Sequence, residues 1–443
     1  MEEDTKLILT IFFISVAVLI PTIRANIAEY DDVLRYRAEL SINRTLESYE
    51  PDPEEVIGHL NHNVHKMLKE QGYDYNGTRR ELSKGYTGPC RATNPIDSCW
   101  RCDPNWARDR SKLADCVLGF GRKTTGGKGG PIYVVTDPSD EDVLNPKPGT
   151  LRHAVIQDGP LWIIFDRNML ITLKQELLVT GDKTIDGRGA AVHIAYGAGI
   201  TIQYVKNVII HGLKIHDIVS TPGGLIRDSM EHAGMRTQSD GDGITLFGAQ
   251  DVWLDHLSMT KCADGIIDVV QASTCVTISN GHFTDHDHTM LFGATDDYVM
   301  DEKMQVTVAF NHFGKRLVQR MPRVRYGYIH IVNNDYTHWK MYAIGGSQHP
   351  TIISQGNRYI ADLPFAKQVT KREIAPESEW RNWVWVSQGD LFLRGAYFVT
   401  SGPQDWYTKH PDRYDHVNPG PADLVGDITM FAGALGCRVD APC

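Results

Sequence analysis

Four aspartates in two short segments carry the first candidate chemistry in this sequence. Asp240 and Asp242 flank a glycine, and three residues separate Asp264 from Asp268. Either pair alone could be a solvated turn, but four carboxylates brought together repel one another unless a cation lies between them. Hard divalent cations take such oxygen ligands, and calcium accepts irregular, partly hydrated geometry better than magnesium does. The two pairs therefore predict a calcium site, with a solvated acidic face as the alternative.

A cluster of cations follows, in a chain whose formal net charge is −10. Its five members lie within eleven residues: Lys315, Arg316, Arg320, Arg323 and Arg325. Planar guanidinium groups can bind a carboxylate through two parallel hydrogen bonds, so the cluster predicts an anion site. Salt bridges to the aspartates on neighbouring repeats are the structural alternative. The acidic net charge disfavours nucleic acid as a partner, and the combination with calcium favours an anionic saccharide.

Other polar motifs support weaker interpretations. His286 and His288 suggest a zinc site, but no further ligand motif with a fixed spacing accompanies them. Asp255 and His256 are expected to form a hydrogen-bonded structural turn beneath the site. The sequence has no Gly-x-Ser-x-Gly elbow, phosphate-binding loop or dinucleotide fingerprint. The aspartates and the cations remain the candidate site.

A repeat must position these residues. Short units of the type Val-x-Ile begin at residues 208, 252, 276, 306, 329 and 352, at intervals of 44, 24, 30, 23 and 23 residues. The first interval holds either two periods or one period with an insertion at 217–243. Each unit is predicted to contain two short strands joined by a turn that often carries Asn. β-branched repeats of this length, without helix patterns between them, indicate an all-β parallel β-helix; a leucine-rich repeat would need an LxxLxL spacing that is absent.

Stacking in such a fold brings distant residues together. Equivalent positions of successive coils lie about 4.8 Å apart. The four aspartates, Arg320 and Arg325 all occur in segments that enter a repeat unit, so we expect the acidic and basic clusters to share one groove. The turn asparagines are expected to form hydrogen bonds along the axis.

The first 85 residues differ from the repeats in composition. Leu7–Pro21 is an apolar run of fifteen residues, too short for an ordinary membrane span, and it predicts a signal peptide over residues 1–25. An uncleaved N-terminal anchor is the alternative, because the segment before the run is acidic. Residues 26–85 are charged and rich in helix formers, and they predict a separate helical extension divided at Pro51 and Pro53. The β-helix domain is expected to span residues 86–443.

The eight cysteines indicate an oxidising compartment and disulfide bonds. Cys437 and Cys443 are predicted to be bonded to each other. Asn43 and Asn76 begin N-glycosylation sequons, which also fits a secreted protein. The pairing of the other cysteines is open; four of them crowd one segment and two form a couple in the middle of the chain: Cys90, Cys99, Cys102, Cys116, Cys262 and Cys275.

Five longer segments carry motifs of a known family: Asn94–Cys102, Thr184–Gly189, Trp253–His256, Arg320-x-Pro322-x-x-Arg325 and Asn333–Trp339. In these motifs the chain resembles plant pectate lyases of polysaccharide lyase family one, related to the pectate lyases of pollen. Residues 26–85 resemble the N-terminal extension of the pollen and anther branch. The resemblance implies a secreted, monomeric enzyme of the plant cell wall with a right-handed parallel β-helix, which would be free of the membrane after signal cleavage. It would cleave de-esterified homogalacturonan, that is polygalacturonate or pectate, by calcium-dependent β-elimination to unsaturated oligogalacturonides.

The same resemblance implies a metal site. β-Elimination removes the C5 proton beside a carboxylate that is already negative, so that charge must first be neutralised. Asp242, Asp264 and Asp268 match the calcium ligands of the family, and Asp240 is expected to join them when substrate brings further calcium.

Residues around the reacting sugar follow in the same way. Arg320 matches the proposed Brønsted base of the family and Arg325 the group that binds the substrate carboxylate, while Lys315 is expected to contact substrate as well. His288 occupies a position where the family usually has a lysine that contacts substrate, and its lower charge could weaken catalysis by about one to a few kcal/mol. The alternative function is therefore a wall protein that binds pectate through calcium but cleaves it poorly. A β-helix polygalacturonase is a weaker possibility, since it would need an acidic pair and no Arg-x-Pro-x-x-Arg motif.

Overall fold

The computed structural model describes residues 31–73, 90–362, 364–404 and 418–443. The predicted signal peptide, residues 26–30 and 74–85 of the predicted extension, and the Asn76 sequon lie outside the described residues. Within the described ranges, no helix has the length and apolar character needed to cross a membrane.

Three parallel sheets wind into a right-handed parallel β-helix, which confirms the predicted fold. Each full coil contributes one strand to each sheet: the two predicted strands, joined by a turn that often carries Asn, and a third strand that the sequence did not reveal. The third strand was missed because it is short and follows a turn or insertion of variable length, which hides its periodicity.

The sheets are named here by their number of strands. The ten-stranded sheet contains β1 (Ile132–Val135), β2 (Leu161–Phe165), β5 (Lys183–Asp186), β8 (Lys206–His211), β13 (Gln250–Asp255), β16 (Thr274–Ser279), β19 (Gln305–Ala309), β22 (Tyr328–Val332), β25 (Thr351–Gln355) and β28 (Trp385–Gln388). The nine-stranded sheet contains β3 (Met169–Ile171), β6 (Val192–Ala195), β9 (Lys214–His216), β14 (Ser258–Thr260), β17 (His282–Thr284), β20 (His312–Phe313), β23 (Asp335–Tyr336), β26 (Arg358–Ile360) and β29 (Leu391–Leu393). The eight-stranded sheet contains β4 (Leu177–Leu178), β7 (Ile200–Gln203), β12 (Ile244–Phe247), β15 (Ile267–Val270), β18 (Met290–Phe292), β21 (Arg323–Arg325), β24 (Ile344–Ser347) and β27 (Thr370–Arg372).

Short helices surround this body. The α-helices are α1 (Asp32–Ser48), α2 (Pro53–Glu70), α3 (Pro95–Trp100), α4 (Leu151–Val155), α5 (Glu377–Trp380) and α6 (Val425–Ile428). The 3₁₀ helices cover Arg110–Cys116, Phe120–Lys123, Val299–Lys303 and Ala422–Leu424.

Ladders of like side chains line the coils. Inside the helix, aromatic rings of the nine-stranded sheet stack on one another, with Phe313 and Tyr336 4.5 Å apart between ring centroids. In the turns, Asn311 donates to Asn334 at 2.9 Å and Asn334 donates to Asn357 at 3.0 Å. The predicted asparagine ladder is therefore confirmed, and it satisfies buried turn groups that the sheets leave unpaired.

The long first interval of the repeat is one coil with an insertion. β8 pairs directly with β13 in parallel, so no coil lies between them. The insertion forms an antiparallel hairpin of β10 (Gly224–Arg227) and β11 (Ala233–Arg236).

The N-terminal extension forms two helices that are divided near Pro51 and Pro53, as predicted, and both helices pack on the ten-stranded sheet. Ile57 of α2 is fully buried against Ile353, and Leu60 and Val64 are also fully buried. The high charge of the segment concealed this stripe, whose residues recur at helical spacing. Buried side chains add hydrogen bonds: Thr45 Oγ1 to Ala272 O at 2.8 Å, and Asn61 Nδ2 to Gln355 Oε1 at 3.2 Å.

Three disulfide bonds close short loops, two before the first strand and one at the C-terminal end of the chain. Cys437 is bonded to Cys443, which confirms the predicted pair. Cys262 and Cys275 are free thiols, so the middle couple is not a disulfide. The connectivities left open by the sequence are Cys90–Cys102 and Cys99–Cys116.

A buried charge network holds the turn that follows β13. His256 Nε2 lies 2.7 Å from Asp97 Oδ1, and His256 Nδ1 lies 2.9 Å from the carbonyl oxygen of Gly433. Both ring nitrogens therefore face acceptors. Burial opposes a charge on the ring, but Asp97 and Asp255 outweigh it and raise the pKa of His256 to about 9. The turn is structural, as predicted, but it lies on the ten-stranded sheet and not beneath the candidate site.

The raised pKa predicts that stability falls with alkaline pH. Below its ordinary pKa of 6.5, His256 is protonated in the folded and unfolded states; between 6.5 and about 9 only the folded state keeps the proton. Its contribution, of the order of 3 kcal/mol, is therefore lost as the pH rises through about 9. Urea unfolding curves from pH 6 to 10 should show this loss in the wild type. His256→Gln should have a lower free energy of unfolding that changes less with pH. His62→Gln, on the exposed face of α2, should match the wild type. Parallel curves for all three proteins would contradict the assignment.

Candidate active site

The predicted site residues lie at the solvent-facing side of the eight-stranded sheet, on consecutive coils. Asp242 precedes β12, Asp264 precedes β15, and Asp268 lies on β15. His288 precedes β18, and Arg320 precedes β21, the strand that ends with Arg325. The register pairs Asp268 with Leu291 and Leu291 with Arg323. The acidic and basic clusters thus lie on the same side of successive coils, because equal register carries each segment there. This face, from Asp242 to Arg325, is called the groove.

Asp242 is held in place by two hydrogen bonds. Its Oδ1 accepts from the Gly265 amide at 2.7 Å, and its Oδ2 accepts from Thr245 Oγ1 at 3.1 Å. Burial raises the pKa of Asp242 to about 6 against these bonds, and the charges of Asp264 and Asp240 add to the rise. The side chain is therefore fixed in orientation but poorly compensated in charge.

Asp268 is even less compensated. Its Oδ1 atom is shielded from solvent and has no hydrogen-bond partner. Burial, followed by the charges of Asp242 and Asp264, raises the pKa of Asp268 well above its usual range, and Arg320 only partly opposes this. A buried polar atom without a partner costs free energy unless something binds it.

These carboxylates suit a hard cation. A methyl group placed on Gly265 would lie 2.5 Å from Asp268 Oδ1 and 3.0 Å from Asp242 Oδ1, so both oxygens border the same small space and only glycine leaves it open. Nowhere in the described residues do three or more His, Cys, Asp or Glu side chains already form a closed metal cluster. Calcium needs no such cage, because it accepts irregular ligand sets completed by water or by a bound substrate. Asp242 and Asp268 fit this role, and the exposed Asp264 can complete it.

His288 faces the acidic side of the groove. Its Nδ1 lies 3.5 Å from Asp264 Oδ1 and its Nε2 lies 4.0 Å from Asp287 Oδ2. The ring is about one-third exposed. A side chain at this position could contact both Asp264 and a molecule bound in the groove.

Arg320 is held by its backbone. It has a left-handed φ of 60°, its carbonyl accepts from the Met290 amide at 2.6 Å, and the next amide, of Met321, donates to Ala343 O at 2.7 Å. These bonds to the coils on either side stabilise a conformation that an L-residue rarely adopts. The Nε atom of Arg320 is buried and has no hydrogen-bond partner. The backbone of Arg320 is thus fixed, while its Nε–H remains available to donate to a ligand.

Arg325 has partners that the sequence did not reveal. Its Nε donates to Asp296 Oδ1 at 2.8 Å, and one terminal nitrogen donates to Gly293 O at 2.7 Å. Burial lowers the pKa of Arg325, and the neighbouring Arg323 adds to this, against the opposing effect of Asp296. Asp296 lies in the segment after β18, and nothing in the sequence indicated that it would pair with Arg325.

The remaining cations divide into paired and exposed ones. Arg316 pairs with Asp285, and Arg323 lies 2.6 Å from Glu373. Salt bridges do bind much of the cluster, as the structural alternative held, but to acids other than the four predicted aspartates. Lys315 is exposed and forms no ion pair with the residues that the structure describes. A cavity of about 210 Å³ under α1 lies apart from all of these residues.

Comparison with known proteins identifies the chain. "Probable pectate lyase P59" of Solanum lycopersicum is 60% identical over 437 residues, which cover 97% of each chain. "Pectate lyase" of Lilium longiflorum is 57% identical over 422 residues, 95% of each chain. The chain belongs to the pectate lyase family. Its enzyme class is accordingly that of a pectate lyase, as the resemblance implied.

Family models and a solved structure agree with this assignment. The pectate lyase model matches residues 171–375, and the model of the pectate lyase N terminus matches residues 26–82. The crystal structure of Jun a 1, the major allergen from cedar pollen, is similar with a TM-score of 0.74 and 46% identity, covering 77% of this chain and 99% of that one. The residues matched by the pectate lyase model include β12 to β21, the strands that carry the site.

The contact between Asp296 and Arg325 predicts a catalytic effect of a residue outside the Arg320-x-Pro322-x-x-Arg325 motif. Asp296→Asn should lower kcat/KM for pectate lyase activity about tenfold, or about 1.4 kcal/mol, because Arg325 loses the charged partner that orients it. Asp297→Asn makes the same charge change at the next residue, which is exposed, and should leave kcat/KM within twofold. Steady-state kinetics of the two variants decide the matter. Equal losses would mean that only the local charge matters, and not the contact with Arg325.

Proposed function

We propose that this chain is a secreted, calcium-dependent lyase that cleaves de-esterified homogalacturonan by β-elimination. One observation carries the proposal: the unpartnered oxygen of Asp268 and the unpartnered Nε of Arg320 lie in the same groove, two coils apart. The first suits a cation, and the second, an N–H donor, suits an anion. A substrate that brings a carboxylate between them would satisfy both.

The chain's residues have separate roles in this reaction. Arg325 binds the C6 carboxylate of the sugar whose proton is removed, and Arg320 takes the proton from C5 of the same sugar. The electron pair of the C5–H bond forms the C4=C5 double bond as the C4–O4 bond breaks, and the departing O4 gains a proton from water.

Charge neutralisation is the task of the acidic residues. Asp242, Asp264 and Asp268 would hold calcium, with Asp240 joining when substrate is bound. When bound, calcium withdraws charge from the C6 carboxylate and so makes the C5 proton more acidic. His288, beside Asp264, would contact substrate at the edge of this cation site, and Lys315 would do so from its exposed turn.

The extracellular setting is part of the proposal. Three disulfide bonds are expected of an oxidising compartment, and pectate is a polymer of the plant cell wall. The segment at residues 1–25 would direct secretion. The substitution at His288 is compatible with a slower enzyme, and the similarity to pectate lyases along the whole chain does not favour a wall protein that only binds.

The test is the absorbance of unsaturated uronide ends during incubation with polygalacturonate at alkaline pH. The wild type should give a rise that needs calcium and stops when a chelator is added. Arg320→Ala should lose at least a thousandfold in rate but still bind polygalacturonate in the presence of calcium. Absence of any rise in the wild type, with calcium-dependent binding intact, would mean that the chain is a binder and not a lyase.

Gly265 gives an independent test of the cation site. Gly265→Ala places a methyl group against Asp268 Oδ1 and Asp242 Oδ1, so calcium affinity should fall at least tenfold. Gly436→Ala is the matched control, because nothing lies within 4 Å of its added methyl group. Calorimetric titration with calcium measures both. Unchanged affinity in Gly265→Ala would place the cation elsewhere.

A further inference from the structure

The segment that leaves the β10–β11 hairpin lies beside Asp242. Residues 236–242 line an open cavity of about 180 Å³ that adjoins Asp242 and extends over β7 and β12, away from Arg320. A polymer that lies along the eight-stranded sheet and passes the cation site would enter this cavity next. Its lining includes Glu176, Thr201, Arg236, Thr237, Gln238 and Phe247.

The single arginine of this lining is already engaged. Arg236 Nε lies 3.5 Å from Glu176 Oε2, and a terminal nitrogen donates to Gln203 Oε1 at 2.5 Å. Thr201 Oγ1 donates to Glu176 Oε1 at 2.7 Å. A free carboxylate bound to Arg236 would compete with the largely buried Glu176, which has Arg236 as its charge partner. Breaking a buried pair in this way is costly.

The other charges in the lining are negative. Asp240 and Asp242 border the cavity on the side of the cation site. With a cation bound, these carboxylates are neutralised; without one, they repel an anion. In neither state does the cavity have surplus positive charge. Arg320, whose Nε has no partner, is the cation that makes the other end of the groove different in charge.

The rest of the lining suits an uncharged sugar. Thr237 and Gln238 offer hydroxyl and amide groups, and Phe247 offers a half-buried apolar surface. We propose that this cavity is a distal subsite that accepts a methyl-esterified galacturonate unit, although the reacting unit must carry a free carboxylate. The inference rests on the proposed function and adds to it a rule for the pattern of esters that a substrate can carry.

Added positive charge in the cavity tests this inference. Thr237 is exposed at the rim, so Thr237→Lys should fold and should make the subsite prefer a free carboxylate. Met230→Lys is the matched control, because it adds the same charge to the same hairpin at an exposed position outside the cavity lining. Each is compared in the wild-type background and in Arg320→Ala, which allows binding to be measured without cleavage.

Two readouts are expected to agree. In digests of partly methyl-esterified homogalacturonan, tandem mass spectrometry should show ester-free units at the cut and esters tolerated at a fixed distance on one side of it. Thr237→Lys should lower ester occupancy at that position at least fivefold, and Met230→Lys should not change it. The second readout is calorimetry in the Arg320→Ala background with calcium. The dissociation constants of oligogalacturonates with and without the distal ester should agree within twofold. When Thr237→Lys is added, the esterified oligomer should bind at least fivefold more weakly than the ester-free one.

Different failures have different meanings. Esters excluded at every position, or equal behaviour of Thr237→Lys and Met230→Lys, would overturn the subsite and leave the lyase proposal standing. A wild type that makes no unsaturated product from de-esterified polymer would overturn the lyase proposal. In that case the binding measurement still decides whether the cavity accepts the ester.

Discussion

The stacking of coils in equal register is the constraint on which the rest of the structure depends. Backbone hydrogen bonds between β12, β15, β18 and β21 set these strands one above another without slippage. A slip of one residue would turn every outward side chain inward. Asp268 and Arg320, more than fifty residues apart in the chain, share a groove only because that register is kept. The aromatic ladder inside the helix and the asparagine ladder in the turns strengthen this register.

Opposed charges in one groove are the functional result of this register. Asp242 is fixed by the Gly265 amide of the neighbouring coil, and the negative charges of Asp242 and Asp268 are poorly compensated, which costs free energy. Arg320 is likewise fixed by bonds on both sides while its Nε lacks a partner. Such unsatisfied groups reduce stability, and a rigid solenoid can tolerate them because its stability comes from the many coils around them.

Features outside the repeat adapt this general scaffold. The segment that follows the β10–β11 hairpin lines the end of the groove beside Asp242. The helices α1 and α2 cover apolar positions of the ten-stranded sheet such as Ile353, so they are part of the packed body. The network around His256 ties together α3, the turn after β13 and the C-terminal segment. Each of these features acts through contacts between segments that are far apart in the chain.

The sequence alone determined the parallel β-helix, the Cys437–Cys443 bond, the asparagine ladder, and the candidate aspartates and arginines. These were predictable because they depend on local patterns: β-branched repeats, turn residues, short loop closure and motifs of adjacent residues. Tertiary structure alone decided the third strand of each coil, the docking of α2, the pairing of Arg325 with Asp296 and the space that Gly265 leaves between two carboxylates. None of these has a local signal, because each depends on which side chains the coils bring together across tens of residues, and a single sequence has no pattern for that distance.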